Sequence, residues 1–134
     1  MKTDFFLKVL LVPLIAFVFA GCAATGSSLV TGQVRPPTSS ELVKLYTKPP
    51  AKYETIGIVR ASSDLGGWTD QGNLDSATRE LKNQAAKLGA NGILLKNVGE
   101  QNETSINSYG PGNIQTTQMK AQVLAGEAIF VTQE

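Results

Sequence analysis

The N-terminal segment most constrains this chain, because it removes the first 21 residues from any folded domain. Residues 1–8 are weakly basic, with Lys2 and Lys8 against Asp4, and residues 9–20 are apolar and uncharged. Small residues then precede Cys22. A basic start, a short apolar run and small residues at its end are the layout of a secretory signal. We therefore expect residues 1–21 to be a signal peptide.

Residues 19–22, Phe-Ala-Gly-Cys, resemble the bacterial lipobox, in which the cysteine is acylated before the signal peptide is cleaved. The lipobox prefers leucine where this chain has Phe19, which is also large and apolar. The resemblance implies a lipoprotein whose Cys22 carries acyl chains such as palmitate. Ala23 and Ala24 follow, and the sorting rule of enteric bacteria then implies the outer membrane, with the domain facing the periplasm.

Two alternatives to lipid attachment stay open. The segment could be an uncleaved membrane anchor, although its uncharged run of 12 residues is shorter than the about 20 residues that span a bilayer. It could also be an ordinary secretory signal followed by an incidental cysteine.

Composition excludes several classes of function. The chain has one cysteine and no histidine, so it has no intrachain disulfide, no Ser/His/Asp or Cys/His nucleophile, and lacks the commonest metal ligand. Beyond Cys22, ten basic and ten acidic residues balance, which gives no long-range attraction to nucleic acid. We therefore expect a protein that is not an enzyme and has no metal, cofactor or nucleic-acid partner.

The rest of the chain divides into two parts. Residues 22–40 are rich in Gly, Ser, Thr and Pro and are predicted to be the lipidated cysteine and a flexible tether. Residues 41–134 are predicted to be one small domain. Its strands are expected at residues 42–47, 53–61, 90–98, 118–124 and 127–132.

The clearest element is a helix. Its apolar positions recur at helical spacing at Leu74, Ala77, Leu81, Ala85 and Leu88. Asn73 or Asp75 can cap its start, and Gly89 can adopt the left-handed conformation that ends it. One helix packed on a small, mostly antiparallel sheet is an α+β fold.

Several other positions are interpreted as structural. Gly57, within a strand, predicts a bulge or a close neighbour, and Asn91 belongs to the turn that leads from the helix into the next strand. Gly126 is a turn or a bulge, which the sequence does not decide. The polar, Gly- and Pro-containing residues 99–116 predict a long mobile loop.

The segment from Leu42 to Val98, with YETIGIV, ATRELKNQAAKLGANGILL and the junction AAKLGANG, resembles small bacterial lipoproteins. These include the outer-membrane sensor lipoprotein of the Rcs envelope-stress pathway and the YbjQ-like family. The resemblance implies mainly a fold. The stress sensor carries disulfide cysteines that this chain lacks, and the heavy-metal label of the YbjQ-like family does not transfer to a chain without histidine.

The candidate site residues are Asp64, Trp68, Asp70 and Tyr109. Two acids around one aromatic ring suggest a polar site for a sugar or peptidoglycan fragment, whereas Trp68 could instead cap the edge of the core. A weak hydrolase built on the two acids lacks a base. Tyr109 could contact a partner or fold back on the sheet.

These observations predict a lipid-anchored envelope protein that is not an enzyme. It would bind another envelope component, in a sensing or assembly role, and its lipidated Cys22 would hold it to the bilayer. The alternative is a module that binds a small ligand, such as a glycan or cell-wall fragment, through the Trp68 loop.

Overall fold

The computed structural model describes residues 24–64 and 69–134, which form one sheet and one long helix. Cys22 and Trp68 lie outside the described residues. The elements in chain order are β1 (Thr25–Val30), a 3-10 turn (Ser40–Leu42), β2 (Lys44–Tyr46), β3 (Lys52–Ser62), α1 (Asp70–Lys87), β4 (Gly92–Ser108) and β5 (Ile114–Gln133).

The five strands form a single sheet in the order β1-β3-β5-β4-β2. Three pairings are antiparallel, β1 with β3, β3 with β5 and β5 with β4, and the short β2 runs parallel to β4. Helix α1 connects β3 to β4 and covers one face of the sheet. The outermost strands of this sheet are therefore β1 and β2.

The prediction of an α+β fold with a small sheet is wrong. Strands make up 53% of the structure, and the sheet curls into a half-barrel with one helix, so the protein is mostly β. Two polar segments account for the difference. Residues 25–30 and 99–116 lack an apolar period and were therefore predicted to be linker and loop. Both contribute strands, because pairing with neighbouring strands satisfies their backbone hydrogen-bonding groups.

The linker predicted for residues 22–40 is largely part of the folded domain. Strand β1 pairs with β3 from Thr25 to Val30. Beyond it, the amide of Gly32 donates to the carbonyl of Ile56 (2.8 Å), and the amide of Arg35 donates to the carbonyl of Leu88 (3.1 Å). Only the residues before Thr25 thus separate Cys22 from the sheet.

Helix α1 begins one turn earlier than predicted. Thr69, rather than Asn73 or Asp75, is the N-cap, and its Oγ1 accepts a hydrogen bond from the amide of Gly72 (3.0 Å). At the other end Gly89 has φ +76°. The amides of Gly89 and Ala90 donate to the carbonyls of Ala86 and Ala85, which is the Schellman arrangement. The predicted helix and its glycine stop are confirmed.

The core lies between α1 and the sheet. Alanines 77 and 85 and Leu81 of the helix are fully buried, and small side chains allow the helix to lie close to the strands. The largest fully buried side chains are Ile56, Leu81, Ile93, Ile129, Val43 and Val59.

Two glycines permit close approach between neighbouring strands. A Cβ on Gly57 would lie 2.5 Å from the carbonyl oxygen of Leu29, and the β3–β5 register shifts beside it, so Gly57 has both a bulge and a close neighbour. A Cβ on Gly126 would lie 2.8 Å from the carbonyl oxygen of Leu94. Gly126 is neither turn nor bulge: β5 runs through it, and the bulge lies opposite, at Lys96 of β4.

Asn91 joins the helix–strand junction to β5. Its Nδ2 donates to the carbonyl oxygen of Val131 (2.9 Å), and its Oδ1 accepts from the amide of Val131 (2.7 Å). Its own carbonyl accepts from the amide of Lys44 (3.0 Å) at the start of β2. The half-buried side chain of Asn91 thus fixes the junction to β5, and its backbone carbonyl fixes the start of β2.

Candidate functional site: a projecting hairpin arm

The outer part of the β4–β5 hairpin extends beyond the rest of the sheet. Strand β3 follows β5 only as far as Ser62, opposite Val123, with a last backbone bond from Ser63 to Gln122. Strands β4 and β5 continue to pair as far as Ser108 and Ile114. We call residues 101–121 the arm. Its two strands have no further strand partner in the part of the chain that the structure describes.

The arm replaces the long loop predicted for residues 99–116. Its turn is closed by hydrogen bonds from the amide of Tyr109 to the carbonyl of Asn113 (3.0 Å) and from the amide of Asn113 to the carbonyl of Gly110 (3.2 Å). Gly110 and Gly112 have φ of +126° and +85°, which glycine adopts without strain. The Gly and Pro residues that suggested a loop belong to the turn, and the flanking Thr and Ile residues suit strands.

Three large side chains are exposed at the tip of the arm. Ile106, Tyr109 and Ile114 are 68%, 70% and 67% exposed. Since Ile114 is opposite Ser108, and alternate residues share a face, Ile106 and Ile114 are diagonal neighbours on one face. Tyr109 is exposed and does not fold back on the sheet, and its contact with a partner stays a prediction.

The arm is also uncharged over most of its length. Between Glu103 and Lys120 the sequence contains no Asp, Glu, Lys or Arg. Exposed strands usually carry charges that prevent contact with other molecules. An uncharged ribbon on which exposed apolar side chains cluster at one tip is a candidate contact surface.

A groove of about 330 Å³ lies near the base of the arm. Gly26 and Ala61 face the helix, so the alternate positions Ser27 and Arg60 face the other side of the sheet. Eight residues line the groove, and five of them have side chains that can hydrogen-bond: Thr25, Ser27, Arg60, Ser62 and Gln101; the others are Gly26, Ala61 and Val123. Such a lining can bind a polar ligand.

The two predicted acids lie at the ends of the β3–α1 connection. Asp64 is half-buried and Asp70 is the exposed first residue of α1, where the helix dipole favours a negative charge. Trp68, the third member of the predicted site, lies in the stretch 65–68 outside the described residues. Within the described residues, no three His, Cys, Asp or Glu side chains are grouped so that they could hold a metal ion.

A charged cluster ties the C-terminus to β2. Glu134 accepts hydrogen bonds from Lys44 Nζ and from the hydroxyl of Tyr46 (3.1 Å). The lysine, then the tyrosine, lower the pKa of Glu134, and Glu134 in turn raises the pKa of Lys44. Burial, followed by the bond to Glu134, raises the pKa of Tyr46. Lys44 and Glu134 are exposed at the sheet edge, and Tyr46 is half-buried.

Comparison with known proteins gives a fold and no family. No family model matches the chain, and no curated protein matches it. A crystal structure of the Francisella virulence factor FvfA is similar, with a TM-score of 0.50 and 22% identity over 78% of this chain and 96% of that one. At this identity the similarity concerns the fold alone. Within residues 24–64 and 69–134, no helix combines the length and apolar character of a membrane span.

Sequence reasoning found Tyr109 but not the other tip residues or the groove. Ile106 and Ile114 are single apolar residues among polar ones, which sequence alone interprets as ordinary surface positions. Their one available signal was the absence of charge along the segment. Arg60 carried no signal, because its groove is formed by strands that are distant in sequence.

Proposed function

We propose that this chain is a membrane-anchored envelope lipoprotein, not an enzyme, whose domain contacts another envelope component through the arm. The N-terminal segment and Cys22 support the anchor, and the absence of Asp next to Cys22 favours the outer membrane with the domain in the periplasm. Acyl chains provide stable attachment, since each buried methylene contributes about 0.8 kcal/mol and several chains act together.

The exposed tip of the arm supports the second part of the proposal, contact with another envelope component. Large apolar side chains that the domain leaves about two-thirds exposed are favourable to bury against something else, because burial of an Ile side chain contributes about 1.5–3 kcal/mol. The paired backbone of the arm and its closed turn hold these groups in a fixed arrangement before contact. Little conformational entropy is then lost on binding.

Photocrosslinking in intact cells tests this function. A photoreactive amino acid replaces Tyr109 at the tip or, as the control, exposed Lys48 in the connection between β2 and β3. We expect crosslinked adducts from position 109 and none from position 48. Equal, diffuse labelling at both positions would show that the arm makes no specific contact.

The groove favours a second candidate function, the binding of a glycan or cell-wall fragment. Hydroxyl, amide and guanidinium groups around one depression are the groups that hydrogen-bond sugars. Titration calorimetry with soluble peptidoglycan fragments tests it. Arg60→Ala should abolish the heat of binding, with Lys52→Ala as the control, and Trp68→Ala tests whether the loop takes part. No heat with the unaltered protein would remove this candidate.

A further inference from the structure

The chain enters the sheet at the end from which the arm projects. Thr25, the first residue of β1, is opposite Ser62, and Ser62 is opposite Val123 on β5. From Val123, β5 leads back along the arm to Ile114 at the tip. The direction toward Cys22 and the direction of the arm therefore start from the same edge of the domain.

Two lengths limit how the domain can sit on a bilayer. Two residues, Ala23 and Ala24, lie between Cys22 and Thr25, and the three Cα–Cα steps from Cys22 to Thr25 reach at most about 10 Å. From Val123, which is level with Thr25, β5 extends about 30 Å to Ile114 at the tip, at about 3.4 Å per residue. This distance is about three times the reach of the link to the anchor.

This difference excludes two orientations. If the arm pointed away from the bilayer, β3 would run toward the lipid from Ser62 to Lys52, over about 34 Å, and the short link would force it into the membrane. If the arm stood upright toward the bilayer, its tip would lie about 20 Å deeper than Cys22. Both free edges of the ribbon would then expose unpaired backbone groups to hydrocarbon, which is strongly unfavourable.

We infer that the arm lies along the surface of the bilayer that holds the Cys22 anchor, with its tip in the headgroup region. With the tip at the depth of Cys22, the arm makes an angle of about 20° with the membrane plane. This inference rests on the lipid attachment proposed above and identifies the envelope component at the tip as lipid.

The chemistry of the tip fits this position. Tyrosine has an apolar ring and a polar hydroxyl, and such side chains are enriched at membrane interfaces. Ile106 and Ile114 add apolar surface, and no charged side chain lies between Glu103 and Lys120 to oppose insertion. The polar stem of the arm remains in the hydrated interface, where its edges can bond water.

Depth-dependent fluorescence quenching tests the inference with the full-length, lipid-modified chain in phospholipid vesicles. Acylation blocks the thiol of Cys22, so a cysteine introduced by Ser108→Cys at the tip takes the fluorescent label alone. Lys52→Cys, at the far end of β3, is the control. Spin-labelled lipids should quench the tip label more strongly than the control label, because the control lies farther from the bilayer.

A second variant separates apolar contact from mere proximity. Replacement of Ile106, Tyr109 and Ile114 by Ser, in the Ser108→Cys background, should reduce quenching to the control value, and these exposed positions leave the fold intact. Equal quenching of the two labels in the unaltered arm would overturn the inference. So would shielding of the tip that occurs only in native membranes and not in protein-free vesicles, which would indicate a protein partner.

Failure of the anchor gives a different result. If the mature chain does not float with vesicles in a density gradient, the proposed lipid attachment itself is wrong. If it floats and the tip label remains as accessible to aqueous iodide as the control label, the attachment stands and only the orientation is overturned.

Discussion

Removal of the Asn91 side chain tests how the structure holds β5 in register. Asn91→Ala deletes two hydrogen bonds, of 2.9 and 2.7 Å, to the backbone of Val131. Each contributes about 1 kcal/mol net, because the unfolded chain bonds water instead. The site is half-buried, so water can partly replace the lost partners. We expect the free energy of unfolding to fall by about 2 kcal/mol.

Asn91→Asp makes the prediction sharper, because it preserves the shape of the side chain. A carboxylate still accepts from the Val131 amide, but it faces the Val131 carbonyl oxygen where the native amide donates. This raises the pKa of the introduced carboxyl in the folded state, since only the protonated form can donate. The raised pKa makes the variant more stable at low pH, and this stability is lost as pH rises through the folded-state pKa.

Chemical denaturation at several pH values measures both effects, with Asn102→Ala on the exposed arm as the control. We expect the control to remain within about 0.5 kcal/mol of the unaltered protein. Asn91→Asp should approach the unaltered protein only in acid. An Asn91→Ala protein as stable as the control, or an Asn91→Asp protein without pH dependence relative to the unaltered chain, would refute the role of these bonds.

Three further predictions concern packing and charge. Gly126→Ala should lower the free energy of unfolding by about 2 kcal/mol, because the added Cβ would lie 2.8 Å from the carbonyl oxygen of Leu94. Gly99→Ala is the control, since Gly99 has open space around it, and should be neutral in the same denaturation assay. Arg35→Lys should lose about 0.5–1 kcal/mol, because the flat guanidinium lies 3.9 Å above a phenylalanine ring; equal stability in thermal melts would contradict this. Because the pKa of Glu134 is lowered in the folded state, its ionised form stabilises the fold at pH values above the ordinary glutamate range. This contribution to stability is lost as the pH falls through the folded-state pKa. Acid titration of stability should therefore show a step that Glu134→Gln removes, and an unchanged acid limb would disprove it.

The sequence predicts the apolar half of this fold well. The recurrence of Leu and Ala from Leu74 to Leu88 reflects burial of one helix face, and Gly89 marks its end, so both follow from local chemistry. Strand β3 is rich in β-branched residues and is confirmed at Lys52–Ser62. These elements can be recognised from their own residues, because their apolar side chains line the core.

The polar strands could not be predicted in the same way. β1 is exposed along its whole length and forms because β3 offers a free edge, which the residues of β1 do not reveal. The arm is formed by pairing across a short turn, and its side chains are exposed from Ile106 to Gln118. Without burial on one face, no period-2 pattern is required.

The candidate site was predicted at single residues but not as a surface. Tyr109 stood out as an aromatic residue among Gly and Pro, whereas the isoleucines beside it became significant only once the hairpin placed them at the same tip. The proposed orientation toward the membrane depends on β1 starting at Thr25. A flexible tether through residue 40, as the sequence suggested, would have imposed no orientation.

The mass of the native N-terminus tests whether a lipidated Cys22 anchors this protein. The protein is extracted from membranes in detergent, digested, and its N-terminal peptide is analysed by mass spectrometry. We expect a peptide that starts at Cys22 and carries the added mass of its acyl chains. A peptide that starts at any other residue, or an unmodified Cys22, would contradict the lipid anchor and with it the membrane orientation of the arm.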